Sequence, residues 1–452
     1  MIAIVGGGIA GLAAARRLQA AGREVTVFEA AEQIGGLAAT VETGGDPIEQ
    51  YYHHLSKSEE RIVEVIEEVG LGEDLHWPVG ETANYVDSTV WPLDKPWEIL
   101  AYPYLSLYDT FRLGMLVKGV DLRGGIPSFD SYDSLDAYDD VPIEQFVTEH
   151  TTRGVYEHFF EPLIEAKFGD RADEVSAAWL LGRVQFRGER DPIRGEYLGY
   201  LDGGFGRLID ALIEDVGRDA IQTGARVTDL ELADGAVDRI TVETSGDSSG
   251  PDAEGSDDGE QTARTTTAHP VDAVIVAAMP SVLESLTDYS CPIEFQGTVC
   301  SIIAMDEQLT DTYWLNVVDD APFGALIEHT NFVPPERYGG EHLLYAVKYV
   351  DGPEDPFFQR SDDDIEAAWL DGLDDLFEQF DRSAVEWIET ARNPRTAPVY
   401  ERGYLDKIVP TDLSEIADGL YYAGMGSRTQ YPERSLDGGI RAGERAADLI
   451  CD

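Results

Sequence analysis

Met1-Ile-Ala-Ile-Val5, a short apolar run, passes directly into Gly6-Gly-Gly8-Ile9-Ala10-Gly11. A strand that ends in this glycine spacing has few folds open to it. Gly6 lets the chain turn off the strand, Gly8 lets backbone approach a pyrophosphate, and Gly11 lets the next helix pack closely on the sheet. The helix predicted to begin near Ile9 and Ala10 then turns free N–H groups and a positive dipole end toward the phosphates. Ala13, Ala14, Ala15, Leu18 and Ala20 continue it, Gly22 ends it, and Glu24-Val-Thr-Val-Phe28 reads as a second strand. Glu29-Ala30 closes that strand, where a carboxylate accepts hydrogen bonds from ribose hydroxyls and repels a 2′-phosphate. A glycine turn alone is weak evidence; strand, helix, strand and acid in this order predict an α/β chain with a Rossmann-like dinucleotide domain.

A second glycine pair, Gly35-Gly36, follows at once and would bring backbone close to the same pyrophosphate. The extended stretch resembles the FAD signature of the flavin amine oxidase, protoporphyrinogen oxidase and phytoene desaturase superfamily. That resemblance implies FAD as cofactor, an FAD-binding domain and an interleaved α+β substrate domain. It also implies that Ala277 and Ala278 pass under the cofactor, that backbone at Val227 contacts its adenine half, and that Gly424-Met425 lies at its ribityl chain. The N–H groups of Asp437, Gly438, Gly439 and Ile440 would face the flavin ring, where a helix N-terminus stabilises the anionic reduced form. Two departures stand out: Leu37 follows the glycine pair where many members have arginine, and Met425 replaces an acidic residue.

With 452 residues, two domains are expected, the chain being longer than one core usually serves. The pattern assigns 1–75, 196–290 and 396–452 to the FAD-binding domain, and 76–195 and 291–395 to the substrate domain. Residues 244–268, rich in Ser, Asp, Gly and Thr, read as a flexible, solvated hairpin insertion. With 87 acidic and 33 basic residues the formal charge is -54, so nucleic acid and anionic surfaces are repelled in general. Such an excess resembles proteins of extreme halophiles. Cys291, Cys300 and Cys451 are scattered, which predicts neither a disulfide framework nor a zinc site, and no metal is expected. A strand beginning at Ile2 and the lack of a membrane-spanning apolar run lead us to expect a cytoplasmic protein, with peripheral membrane contact left open.

That opening comes from Trp91-Pro-Leu-Asp-Lys-Pro-Trp97-Glu-Ile-Leu-Ala-Tyr102-Pro-Tyr104-Leu-Ser-Leu-Tyr108, which suits an aromatic cavity, a bilayer-edge surface or the core of a helical cap. Arg183, Arg187, Arg190 and Arg194 concentrate guanidiniums in a chain poor in basic residues. They suit an anionic substrate group, or pairing with Glu189, Asp191 and Glu196 beside them. His53 and His54 resemble a histidine segment lying over the flavin in UDP-galactopyranose mutase and related flavoproteins, and either would serve in proton transfer. Lys167, at the end of an apolar helix, is a further catalytic candidate, although snorkelling to the surface is its commoner fate. Thr298-Val-Cys-Ser-Ile-Ile303 lacks the lysine that amine oxidases carry there, which argues against amine oxidation.

The expected function is FAD-dependent dehydrogenation of a hydrophobic or anionic small-molecule intermediate, tetrapyrrole or isoprenoid, by hydride transfer to flavin N5. Oxygen, a quinone or a soluble carrier would accept the electrons, and the sequence leaves the oligomeric state open. Two alternatives are a flavin-dependent isomerase of the UDP-galactopyranose mutase type and a non-catalytic flavoprotein.

Overall fold

Two strands buried along their whole length, two mostly buried and one short edge strand make the first sheet, so its apolar runs need cover on both faces. In the computed structural model, which describes residues 1–120, 132–186, 190–191, 193–245 and 264–452, its order is Ile221–Gln222, Val25–Phe28, Ile2–Val5, Ala273–Val276, Leu420–Tyr422. Every pairing is parallel, with Ile2 beside Val25 on one side and Ala273 on the other. The sheet therefore draws on the start, middle and end of the chain. Ile4, Ala14, Leu18, Val27, Ile275 and Ala446 share one core beneath it.

The helix Ile9–Ala20, called here the nucleotide helix, lies against the terminal helix Leu436–Cys451. Glycine permits the approach: a Cβ on Gly443 would fall 2.0 Å from the Ala10 carbonyl oxygen, and one on Gly439 2.8 Å from the Ile9 side chain. The two helix N-termini are thus neighbours.

A second sheet of seven strands runs Val385–Pro398, Phe295–Met305, His342–Val350, Ala325–Glu328, Trp314–Val317, Thr82–Val86, Thr89–Pro92. All its pairings are antiparallel except that between Trp314–Val317 and Thr82–Val86. Helix Asp362–Leu376 covers one face through Ile365, Trp369 and Leu373, and the Trp369 indole donates to Ser301 Oγ at 2.7 Å. Helices Ile143–His150, Glu161–Phe168 and Ala177–Phe186 build a cap whose core includes Phe146, Phe160, Ile164, Phe168 and Leu181.

Glu49 ties the sheets together. Its buried carboxylate accepts from Tyr200 Oη at 2.8 Å and from the Phe205 N–H, at the start of helix Gly206–Val216. Burial pushes its pKa up, while these donors pull it back. A helix with no side-chain cap of its own receives an acceptor from a distant segment.

The expected insertion at 244–268 is narrower than its composition suggested. Thr244 pairs with Thr265 and Ser245 with Arg264, so Thr244, Ser245 and 264–268 belong to two strands of a three-stranded sheet, Ala225–Ala233, Ala236–Ser245 and Arg264–Pro270. The β-branched Thr265, Thr266 and Thr267 fit a strand even where exposed. Residues 246–263 lie outside the described ones. Among the described residues, no helix is long and apolar enough to cross a membrane.

Candidate functional site

Gly6 leaves the first strand at φ +112°, and a Cβ there would fall 2.5 Å from the Ala277 carbonyl oxygen. The turn therefore rests on Ala277-Ala278, and a Cβ on Gly11 would come 2.0 Å from the Gly6 oxygen. Gly8 differs in kind: nothing lies within 4 Å of where its Cβ would be. It is the residue before the nucleotide helix, so the open space faces N–H groups that have no acceptor within the helix.

The second glycine pair sits at the same turn. Gly35 and Gly8 form a parallel bridge, Gly35 donates to the Gly7 carbonyl at 3.2 Å, and Gly35 and Gly36 take φ of +127° and +60°. Leu37 occupies a short turn, Gly36–Ala38, and is half-buried. The Glu29 carboxylate accepts from Gly7 N–H at 2.7 Å and Ala31 N–H at 2.8 Å, which fixes it beside the glycines; Ala30 is exposed. Ala225 donates to the Glu29 carbonyl at 2.8 Å, bringing the buried Val227 to the same edge. A dinucleotide fits these residues, with its pyrophosphate over Gly8 and a ribose at Glu29.

Gly424 packs on Ala278 so closely that a Cβ would fall 1.8 Å from that carbonyl oxygen; Met425 is half-buried beside it. In the terminal helix the expected contact is restricted. Asp437 is buried, with one carboxylate oxygen taking the Ile62 N–H at 2.9 Å and the other Arg441 Nε at 2.5 Å, and Ile440 is wholly in the core. Ser435 caps the helix by accepting from Gly438 N–H at 3.0 Å. The Gly439 N–H is spent on the Ser435 carbonyl at 3.1 Å, so the N–H groups of Gly438 and Gly439, expected to face the flavin, already serve the helix's own cap.

The histidines are held by neighbours of their own. His53 is half-buried, its Nδ1 2.6 Å from the Tyr51 carbonyl oxygen, which places the proton on Nδ1. Burial pushes its pKa down to about 4, so the ring is neutral at pH 7. His54 sets Nδ1 2.9 Å from Tyr313 Oη and stands edge-on to Tyr313 and Trp314.

Lys167 corrects the expectation of snorkelling. Its Nζ turns inward, 3.1 Å from Glu433 Oε1 and 4.9 Å from the centre of the Trp179 ring. The other carboxylate oxygen, Glu433 Oε2, is 3.1 Å from Arg183 Nη1. Burial alone would raise the Glu433 pKa, but Lys167 and Arg183 outweigh it and bring it to about 2. Lys167 itself is pushed down by burial, with Glu433 opposing.

Of the four arginines, Arg183 and Arg194 have described side chains, and these two have different surroundings. Arg183 is committed to Glu433, whereas Arg194 is exposed and reaches Tyr197 Oη at 3.4 Å. Arg190 lies in a short strand beyond the end of helix Ala177–Phe186, and Arg187 is outside the described residues. The helix ends at Phe186, and Arg194 lies beyond it.

Instead, the structure assembles a group that spacing does not reveal. Arg434 Nη2 donates to Tyr349 Oη at 3.5 Å, and Tyr349 Oη lies 3.0 Å from Tyr52 Oη. Burial pushes the Tyr349 phenol up, yet the Arg434 and Lys167 charges win and the net direction is down, while Tyr52 stays well above the usual range through burial. Arg434 immediately precedes the cap of the terminal helix, so this group stands beside the glycine cradle. The available signal was the pair Glu433-Arg434 just ahead of a cofactor-facing helix; its partners are far away in sequence.

A parallel sheet with this cradle, joined to an antiparallel sheet and a helical cap, is the two-domain FAD-binding α/β fold. A putative protoporphyrinogen oxidase from Exiguobacterium sp. 255-15 shares it, with a TM-score of 0.75 at 19% identity over 100% of this chain and 98% of the other. The chain matches the family of flavin containing amine oxidoreductases over residues 9–451 and belongs to it; its cofactor is FAD. It is 23% identical to tobacco (Nicotiana tabacum) mitochondrial protoporphyrinogen oxidase over 53% of each chain, so the match spans about half the length of that relative. It is 24% identical to soybean (Glycine max) 15-cis-phytoene desaturase over 99% of this chain and 79% of the relative.

Proposed function

We propose that this protein is an FAD-dependent oxidoreductase that dehydrogenates a hydrophobic or anionic intermediate of the tetrapyrrole or isoprenoid class. The observation that carries the reading is the glycine cradle: open space over Gly8, with Glu29 fixed beside it and the terminal helix against it. Relatives named for protoporphyrinogen and for phytoene support the substrate class. Bound FAD supplies the hydride acceptor. The chain's own residues then hold the substrate in line and exclude water, which is most of what such a transfer requires. Residues 1–75, 196–290 and 396–452 would hold the cofactor, with 76–195 and 291–395 facing the substrate. Neutral His53 keeps Nε2 as an acceptor, and the Lys167–Glu433–Arg183 group sets a positive potential at the substrate side.

A lipophilic substrate also accounts for the surface of two cap helices, Pro96–Ala101 and Leu107–Val117. Of the eleven large apolar side chains exposed among the described residues, seven fall between Trp97 and Val120, including Leu107 at 77% and Phe111 at 61%. Buried Tyr102, Leu105, Leu113 and Leu116 fill the core beneath, so the segment serves as cap and as apolar surface at once. Lys95, Arg112 and Lys118 against Glu98 and Asp109 leave it free of the negative charge seen elsewhere. In this reading it rests on a bilayer edge, from which the substrate enters.

Anaerobic titration of the FAD-loaded protein with protoporphyrinogen, and separately with phytoene in detergent, tests the function. Loss of visible flavin absorption with one of them is expected. Unchanged absorption with both, together with ring isomerisation of UDP-galactose by the reduced protein, would replace this reading with the isomerase.

A further inference from the structure

Lys167, Arg183 and Arg434 bring three positive charges to one half-buried place, and Glu433 is the carboxylate set among them. The allocation is uneven. Each oxygen of Glu433 is already engaged, one by Lys167 and one by Arg183, at 3.1 Å in both cases. Among the described residues Arg434 makes no ion pair within 4.0 Å, and its hydrogen bond to Tyr349 Oη, at 3.5 Å, is at the limit of length. Arg434 is half-buried, and Tyr349, Tyr52, Tyr400 and Glu433 nearby favour its charge against the cost of burial, yet among the described residues no carboxylate stands within ion-pair distance of it. In a chain with 87 acidic residues an internal partner was easily available.

The position of the side chain says what it waits for. Arg434 lies one residue before Ser435, the cap of the terminal helix, and the first turn of that helix touches Ile9 above the glycine cradle. Lys167 and Arg183 reach the same place from cap helices Glu161–Phe168 and Ala177–Phe186. The group therefore joins the cofactor side to the substrate side. A guanidinium with open donors matches the two oxygens of a carboxylate in a planar fork, and the Tyr349 hydroxyl adds a donor beside it.

We propose that Arg434 and Tyr349, backed by the Lys167–Glu433–Arg183 trio, bind one carboxylate of the substrate. Lys167 and Arg183 share Glu433 while Arg434 is without a carboxylate among the described residues, so the ligand places one carboxylate at Arg434 on an otherwise apolar molecule rather than a diphosphate. The low pKa of Tyr349 reports the same positive potential from Arg434 and Lys167, against the burial that would raise it. The proposal rests on the dehydrogenase reading for the word substrate; the carboxylate site itself does not depend on turnover.

The test uses benzoate as probe, titrated into the oxidised FAD-loaded protein while the visible flavin bands are followed, and by calorimetry into the FAD-free protein. Saturable binding of benzoate and none of benzamide is expected. Arg434→Met should weaken benzoate at least about tenfold, the loss of one charge-assisted contact, with Arg434→Lys in between and FAD content unchanged. Tyr349→Phe should weaken it less than Arg434→Met. Equal affinity for benzamide, unchanged affinity in Arg434→Met, or tighter binding of UDP than benzoate would overturn the proposal. The benzamide comparison uses the unaltered protein and so holds even if a variant fails to fold. Failure here leaves flavin bleaching by phytoene, an uncharged hydrocarbon, still possible, so the two readings fall separately.

Discussion

The cradle and the charged group are held in opposite ways. At the cradle the work is done by backbone and by the absence of side chains: Gly6, Gly11, Gly424 and Gly443 each touch a carbonyl oxygen that a Cβ would strike. At the charged group it is done by side chains from Tyr52, Lys167, Arg183, Tyr349 and the neighbours Glu433 and Arg434, brought together from segments far apart in the chain. Spacing along the chain decides the first, and only the folded chain decides the second. Each should therefore fail in its own manner.

Gly8→Val separates them most sharply. The space above Gly8 is empty, so the protein should fold with a normal melting temperature yet purify colourless, without FAD. A yellow Gly8→Val protein would show that the cradle has been misplaced. Glu433→Gln attacks the other side: it leaves Lys167 and Arg183 half-buried without a counter-charge and should cost about 3–5 kcal/mol in denaturant unfolding. Unchanged stability would mean that the trio is not held as described.

Smaller effects sharpen the contrast. Glu29→Ala should weaken FAD by about 1–3 kcal/mol through lost charge-assisted hydrogen bonds, measured by fluorescence titration of the FAD-free protein. Equal affinity would remove the ribose role. Glu59 tests the seam between the regions, since its buried carboxyl accepts from Ser56 N–H at 2.6 Å near Asp437. Burial raises its pKa to about 8, from 4.5 when unfolded. The folded state thus prefers the protonated form, so this contribution is complete below about pH 4.5 and is lost as pH rises toward 8. Glu59→Gln should flatten the fall in stability over that window, which thermal melts at several pH values will reveal.

Legibility follows the same division. The Gly6 to Gly11 spacing, the strand before it and the acid after it predict a parallel sheet because each rule concerns neighbours along the chain. Lys167 was harder to read, since an apolar helix end with one lysine looks the same whether the ammonium snorkels or turns toward a glutamate far along the sequence. Arg183 and Arg194 are close in sequence, but the helix ends between them, and Arg183 meets Glu433 while Arg194 is exposed. At 244–268, composition indicated solvent exposure correctly for Arg264 to Ala268 but not their strand pairing, because an exposed edge strand and a loop can share polar residues.

The contact between the nucleotide helix and the terminal helix bears on the order in which the protein is made. The glycine turn is synthesised long before Gly439 and Gly443, on which Ile9 and Ala10 rest. Until those arrive the nucleotide helix lacks this support, and firm cofactor capture must wait for helix Leu436–Cys451. A ribosome stalled before Leu436 would therefore display a chain that is still colourless.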